Sequence, residues 1–513
     1  MKMFLALLLL AAAATHGARA LEGPPLQRPY RILMLLPVSS WSHRHVFVPV
    51  AEALANRGHQ VVMLTKFPPS LDHPNITELT YWRSIYEERL NFFEIRKHPL
   101  IFLARFRSEL SSMARDLYND TTVMELYHNR RDFDVVFVDA LFNEALYAFT
   151  HELPLITIST VGDNYQHSAV MGNFYHPAYV PTLLWDFARP WHLHDKVFNV
   201  LFHVINAGFW RFIVVPAIEY EVKRHFPDLP PLLELEKNQS LAFVNSHFSV
   251  DLTLPLLPSQ VQIGAIHCQP AKPLPQDLAG WVRGAGEAGV VYVSLGSMAR
   301  GDSMPTHHRD LFVRAFARMK QRVIWKYEGV VPGVSDNVMV RRWLPQQDIL
   351  AHPNVKVFLS HGGLLSLQET IFHATPVLAL PIFGDQPKVA ALIQNEGYGR
   401  RLEWEELTVD LLVETLQEII SNPRYLERVA TASRTLRDQP ESAQDRAVYW
   451  TEYVIRHGGA PHLRSPVTEL SWAEFLLLDV LLVLGLVAKG AHVLYRALSR
   501  RTWPLQGIKW KLD

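Results

Sequence analysis

The sequence predicts an α/β protein of two Rossmann-like, doubly wound domains facing one cleft, followed by a membrane-spanning helix. Three observations carry that expectation. Short apolar runs alternate with helical spacers in two separate blocks, the signature of parallel sheets wrapped by helices. A Pro-rich stretch, AKPLP at 271–275, divides the blocks as a linker would. Near the end, FLLLDVLLVLGLVAKGAHVLY at 475–495 matches the roughly 20 residues a helix needs to cross a bilayer. At 513 residues and 49% apolar, the chain is long enough for large cores.

The first block begins after a leader. Lys2, the apolar run Phe4 to Ala14 and the close Ala18-Arg19-Ala20 form a secretory signal peptide over 1–20, cut after Ala20. Arg31 to Val38 reads as a buried strand, 46–57 as a helix with Gly58 as its stop, and Gln60 to Thr65 as a second strand. Strands follow at 133–139 and 153–159. The stretch 160–250 is irregular and aromatic. Within it, 197–216 is strongly apolar, with Arg211 its one formal charge, and fits either a core helix pair or a wall that touches membrane or encloses an apolar substrate.

Beyond the linker, strands are expected at 290–295, 323–327, 338–344, 355–360 and 376–381, with charged helices over 404–456. The domains are therefore 21–270 and 271–456. A luminal juxtamembrane segment occupies 457–474, the span 475–495 and a cytosolic basic tail 496–513. Asp479 and Lys489 lie near the ends of the span, where charges reach the interface; a surface amphipathic helix is the competing reading. Arg496, Arg500, Arg501, Lys509 and Lys511 against Asp513 place the tail in the cytosol and the body in the lumen. Sequons at Asn75, Asn119 and Asn238 all fall on that luminal part.

Composition excludes several classes. Lys+Arg and Asp+Glu are both 50, so no basic surplus exists for nucleic acid. A single cysteine, Cys268, excludes an internal disulfide and a thiolate zinc cluster. The 24 histidines show no HExxH or paired spacing for a metal.

The chemistry concentrates in the second block. Strand 355–360 runs into His361-Gly362-Gly363 and a helix, a turn that lets backbone N–H groups and the helix dipole meet phosphate, with His361 as a further donor. Gly296 and Ser297 form a second such turn after strand 290–295. Glu369, two helical turns beyond His361, suits a ribose diol. Asp385 and Gln386 offer an acceptor and a donor–acceptor to adjacent sugar hydroxyls. Trp343 supplies an indole face for a base and Gln346 an amide for its edge.

Taken together, FLSHGGLLSLQETIFHATPVLALPIFGDQ (358–386), WLPQQDILAHP (343–353) and HCQPAKPLP (267–275) closely resemble the UDP-glycosyltransferases, the family that contains the UDP-glucuronosyltransferases. The LLSLQE form resembles the arthropod branch, whose members generally use UDP-glucose. The resemblance implies a GT-B fold, with UDP-sugar on the C-terminal domain and acceptor on the N-terminal one. It assigns Trp343 and Gln346 to the uracil, Ser297, His361 and Gly363 to the diphosphate, Glu369 to the ribose, and Asp385 and Gln386 to the transferred sugar. It also implies a catalytic dyad, matched here by His43 in SSWSH and Asp139 in FDVVFVDALF, with His45 as rival base. Leu365 and Val389 stand where mammalian members commonly carry Asn, which touches the fine diphosphate and sugar contacts.

The dyad makes chemical sense: a hydroxyl is a poor nucleophile, and a base must take its proton as it attacks the anomeric carbon. The expectation is thus an inverting hexosyltransferase of the endoplasmic reticulum membrane, moving glucose from UDP to the hydroxyl of a small lipophilic acceptor. It needs no metal or other cofactor and no nucleic acid, and a homo-oligomer is admissible. The alternatives are a UDP-glucuronate-using enzyme and a non-catalytic UDP-sugar or glycan binder. Residues 251–266 carry no Lys or Arg for a glucuronate carboxylate. Lys509 and Lys511, fifth and third from the end, resemble a dilysine retrieval signal.

Overall fold

The computed structural model describes residues 28–81, 91–96, 99–182 and 192–502. The expected leader at 1–20 and the lysines at 509 and 511 lie outside them. Two parallel sheets form the body. The first holds β1 (Arg31–Leu36), β2 (Gln60–Thr65), β3 (Ile76–Thr80), β4 (Val135–Asp139), β5 (Leu155–Ser159), β6 (Gln239–Val244) and β7 (Gln260–Gln262), in the order β3-β2-β1-β4-β5-β6-β7. The second holds β8 (Val290–Ser294), β9 (Arg322–Lys326), β10 (Val338–Arg341), β11 (Val355–Ser360), β12 (Val377–Ala379) and β13 (Gly399–Arg401), in the order β10-β9-β8-β11-β12-β13. Every recorded pairing is parallel. The central strands β4, β5 and β8 are buried at every position, which is why they read as continuous apolar runs.

Helix α1 (Trp41–Asn56) starts five residues before the expected 46, because Ser40 in extended conformation caps it and accepts the amide of His43. His43 thus sits in the first turn of a helix, not in a free loop.

The apolar stretch after 190 is one helical run. It comprises α2 (Leu193–Phe209), a π turn (Trp210–Val214) and α3 (Val215–Lys223). Pro216 has no N–H to close an ordinary turn, so the widening falls just ahead of it. A buried core pair is not what forms: Val204, Ile205 and Phe212 are exposed on the outer side, while His203, Asn206 and Trp210 line the cleft.

In the second half, α4 (Gln346–Leu350), α5 (Leu364–His373) and α6 (Gln386–Glu396) follow strands β10, β11 and β12. After them α7 (Ala443–Arg456) returns to the first sheet. Ala447 and Val454 join the core under β1 and β4, and Glu452 bonds Arg57 (3.0 Å) and His59 (3.1 Å). The halves are further tied by Gln368 Nε2 donating to the Asn245 carbonyl (3.0 Å) and by Lys388 beside Asp251 (3.5 Å).

Residues 464–502 form a separate unit. A short turn of helix, Trp472–Phe475, is capped by Ser471, and Leu477 at φ 53° separates it from α8 (Leu478–Thr502). The helix therefore starts three residues later than the expected span. Asp479 falls in its first turn, where the helix dipole favours a carboxylate. Leu478–Ser499 is long and apolar enough to cross a membrane, by length and composition.

Candidate functional site

Each sheet reverses its strand order once, between β1 and β4 and between β8 and β11. Ligands of such sheets bind outside the carboxyl ends of the strands at the reversal. Here both reversals border one cavity of about 820 Å³.

At the first reversal, His43 Nδ1 lies 2.6 Å from Asp139 Oδ2. The pair is 96 residues apart in sequence, and adjacency of β1 and β4 brings it together. The Asp139 carboxylate is fully buried while the imidazole is 16% exposed. Burying a carboxylate requires donors. Asp139 receives Ser39 Oγ (2.6 Å), the Leu141 amide (3.2 Å) and Thr160 Oγ1 (3.2 Å) besides the ring. Thr160 Oγ1 also stands 2.9 Å from His43 Nδ1. Carboxylate and hydroxyl together place the proton on Nδ1, leaving Nε2 as the ring's basic atom. His45 has no carboxylate: its Nδ1 donates to the Trp41 carbonyl (3.0 Å), and burial lowers its pKa.

At the second reversal, His361 packs between two glycines. A Cβ on Gly296, at φ 86°, would lie 2.7 Å from the His361 ring, and one on Gly363 2.6 Å from its Nε2. Only glycine lets ring and backbone approach so closely. Burial, aided by the Lys326 charge, pushes His361 down to about 4, so the ring is neutral. Gly363 caps α5, whose first amides face the reversal. That of Leu364 is taken by Asp385 Oδ2 (3.1 Å).

The remaining donor-side residues are already engaged with one another. Gln346 accepts the Tyr292 hydroxyl (3.1 Å) and donates to Ser366 Oγ (3.3 Å) and to Glu369. Burial pushes the Glu369 carboxyl up to about 7 against the amides that bond it. Gln386 spends its carbonyl on the amides of Ile382 (2.8 Å) and Phe383 (3.0 Å), which leaves its NH₂ for a ligand. Trp343, 59% exposed, meets Trp41 edge-on at 5.9 Å and carries Lys326 Nζ over its ring at 5.7 Å. Ser297 lines the same cavity.

Several residues here carry no sequence signal. Ser39 and Thr160 complete the first constellation. Lys326, at the end of β9, stands beside the glycine turn through its bond to the Gly296 carbonyl (2.9 Å) and pairs there with Glu328. The alternation of strand ends could have flagged Lys326, since β9 neighbours β8. Of the sequons, Asn119 is exposed, while Asn75 is half-buried and donates its amide to the Ala55 carbonyl (3.1 Å).

Two parallel, doubly wound sheets presenting their reversals to one cleft define a class, the GT-B glycosyltransferase fold. The glycosyltransferase VinC, solved in complex with DTDP, superposes with a TM-score of 0.56 at 18% identity, covering 83% of this chain and all of that one. The family model "UDP-glucoronosyl and UDP-glucosyl transferase" matches residues 32–502, and the chain belongs to that family. Among its relatives, UDP-glycosyltransferase UGT5 of Dactylopius coccus is 34% identical over 465 residues, 88% of each chain. The 2-hydroxyacylsphingosine 1-beta-galactosyltransferase of Homo sapiens is 32% identical over 480, covering 91% of this chain and 87% of the other. The protein is a UDP-glycosyltransferase.

Proposed function

We infer that this enzyme transfers glucose from UDP-glucose, with inversion, to the hydroxyl of a small lipophilic acceptor, and that His43 is the base. The observation that supports this most is the His43–Asp139 pair on the wall of the cavity that Gly363, Glu369 and Asp385 also line. The acceptor hydroxyl gives its proton to His43 Nε2 as its oxygen attacks the anomeric carbon. Asp139 holds the ring's orientation and stabilises the imidazolium. UDP leaves from the opposite face, so one displacement inverts the centre. Its growing charge falls to Lys326, His361 and the N-terminus of α5. Trp343 stacks on the uracil and Glu369 takes the ribose hydroxyls, while Asp385 and the Gln386 NH₂ take the hexose. Ser297 and the Gly296–His361–Gly363 cradle hold the diphosphate.

A neutral hexose is favoured over glucuronate because residues 251–266 carry no Lys or Arg for its carboxylate, and Lys388, in the helix that Gln386 begins, is engaged with Asp251. The galactosyltransferase among the relatives makes UDP-galactose the second donor to try. Phe92, Phe106, Phe142 and Phe383 in the cavity wall suit a lipophilic acceptor. The chemistry calls on no metal or cofactor, and EDTA is expected to leave turnover unchanged. We further place the enzyme in the endoplasmic reticulum membrane, anchored by α8, with the body and its sequons luminal and Lys509 and Lys511 as a cytosolic retrieval signal. Protease added outside sealed microsomes should then trim only the tail.

The deciding experiment is His43→Ala. Turnover should fall about 10²–10⁴-fold while UDP affinity stays near wild type. Retention of more than half the turnover would remove His43 as the base.

A further inference from the structure

One stretch of the cavity wall carries none of the residues assigned to UDP-sugar. Glu144, just past β4, is 6% exposed; its Oε1 accepts Trp210 Nε1 (2.6 Å), while Oε2 has no hydrogen-bond partner among the described residues. Glu236, at the end of the helical turn Leu232–Glu236, lines the same cavity, with Arg211 only at 3.9 Å. His203 on α2 is 8% exposed, stacks on Tyr165 at 4.1 Å between centroids and leaves Nε2 unpartnered among the described residues. Gln166 Nε2, a donor lining the same cavity, is likewise unpartnered among them.

Buried polar groups in folded proteins are almost always paired, and each exception calls for a reason. Glu144, His203 and Gln166 come from three different elements, and all line the cavity that holds His43. Burial pushes Glu144 and Glu236 each up to about 7, and the Glu236 charge adds to the rise at Glu144, so the two carboxyls feel one another. At the glutamates, Glu144 Oε2 lacks a donor among the described residues and Glu236 has only Arg211 at 3.9 Å, so a donor on the ligand completes this corner, while Gln166 Nε2 is left to meet an acceptor.

We propose that the acceptor substrate presents a hydrogen-bond-donating group, an amine or a second hydroxyl, to Glu144 and Glu236, away from its reacting hydroxyl. This rests on reading the cavity beside His43 as the acceptor's. The substrate class is then an amphiphile: an apolar body against the phenylalanines, one hydroxyl at His43 and one donor at the glutamates. A site built to receive a donor discriminates strongly against the analogue that lacks it, because its own polar atoms are left unpaired.

The test uses the full-length enzyme and three phenols of one skeleton whose far end carries a methyl, a hydroxyl or an aminomethyl group. Both transfer from UDP-glucose and binding in the presence of UDP are measured. The hydroxyl and amine compounds should exceed the methyl compound at least tenfold in kcat/KM and in affinity. Glu144→Ala should erase both preferences. Glu236→Gln, milder for folding at a partly accessible position, should cut the amine preference more than the hydroxyl preference, since an amide still accepts but carries no charge. Equal binding of all three compounds by the wild type overturns the proposal, whatever their rates. Unequal binding without transfer to any of them keeps this subsite and removes the proposed transfer reaction instead.

Discussion

The two strand-order reversals do the same job by different means. Between β8 and β11 the parts are local: glycines, a histidine and a helix N-terminus lie within a few residues of strand ends, and backbone does much of the contacting. Between β1 and β4 the parts are side chains 96 residues apart that meet only because the strands pair. Their surroundings differ as well. Gln346, Glu369, Asp385 and Gln386 are bonded to one another or to backbone before any ligand arrives. Across the cleft Glu144, Gln166 and His203 keep atoms unpartnered among the described residues. A pocket for one constant ligand can be preorganised, whereas a wall with unpartnered atoms is completed only by what fills it.

The largest effects should separate the two reversals cleanly. His43→Ala and Asp139→Asn should both cost rate, about 10²–10⁴-fold for the base itself, without weakening UDP. Asp139→Asn acts through the ring tautomer, so its pH–rate profile should shift where that of a remote mutation would not. A parallel loss of UDP affinity would mean that the reversals are not independent.

Gly363→Ala should do the reverse. Its new methyl would press on the His361 ring, and UDP affinity should drop tenfold or more in a calorimetric titration. Acceptor binding should change little. Undiminished UDP binding would show that the backbone approach at this turn is not used.

Within the donor side, Trp343→Ala should weaken UDP and UDP-glucose alike, by about 1–3 kcal/mol for lost stacking. Asp385→Asn should weaken UDP-glucose more than UDP. The asparagine oxygen still receives the Leu364 amide, so the conservative change isolates the sugar contact from the cap that Asp385 also provides. Equal losses for the two ligands in Asp385→Asn would place this residue off the hexose.

The smallest effect concerns Glu369. Its folded-state value of about 7 exceeds the ordinary 4.5, so between those pH values the folded protein holds more protons than the unfolded chain. Stability therefore falls as pH rises through that window, and the full penalty is present above 7. Glu369→Gln removes it. The gap in melting temperature between variant and wild type, without ligand, should widen from pH 5 to pH 8. A constant gap would contradict the shifted carboxyl.

Central strands were legible because burial on both faces writes itself as an unbroken apolar run. Of the edge strands, β10 was legible at 338–344, but β3 and β13 were not. The polar ITELT of β3 and GRR of β13 carry no such run, since one side of each meets solvent or loops. Strand β6 is fully buried, yet it lies in the irregular stretch before 250, with only SLAFV to mark it. The turn at 360–364 was legible because a strand end, two glycines and a helix start fall within one short segment, whereas Lys326, beside it only through the pairing of β9 with β8, was not. Glu144, Glu236 and Thr160 were invisible for the opposite reason, having no neighbour in sequence that shares their task.

By itself, then, the sequence determined the alternation that makes two parallel sheets, the glycine turn between β11 and α5, and a C-terminal helix apolar enough for a bilayer. Each follows from residues close in the chain, where periodicity and backbone freedom act directly. Tertiary structure alone decided that β1 lies beside β4, so that Asp139 is the carboxylate His43 meets. It decided that α7 turns back under the first sheet and that α2 shows its apolar side outward. Those outcomes depend on which distant surfaces bury one another, a property of the packed whole that no single segment encodes.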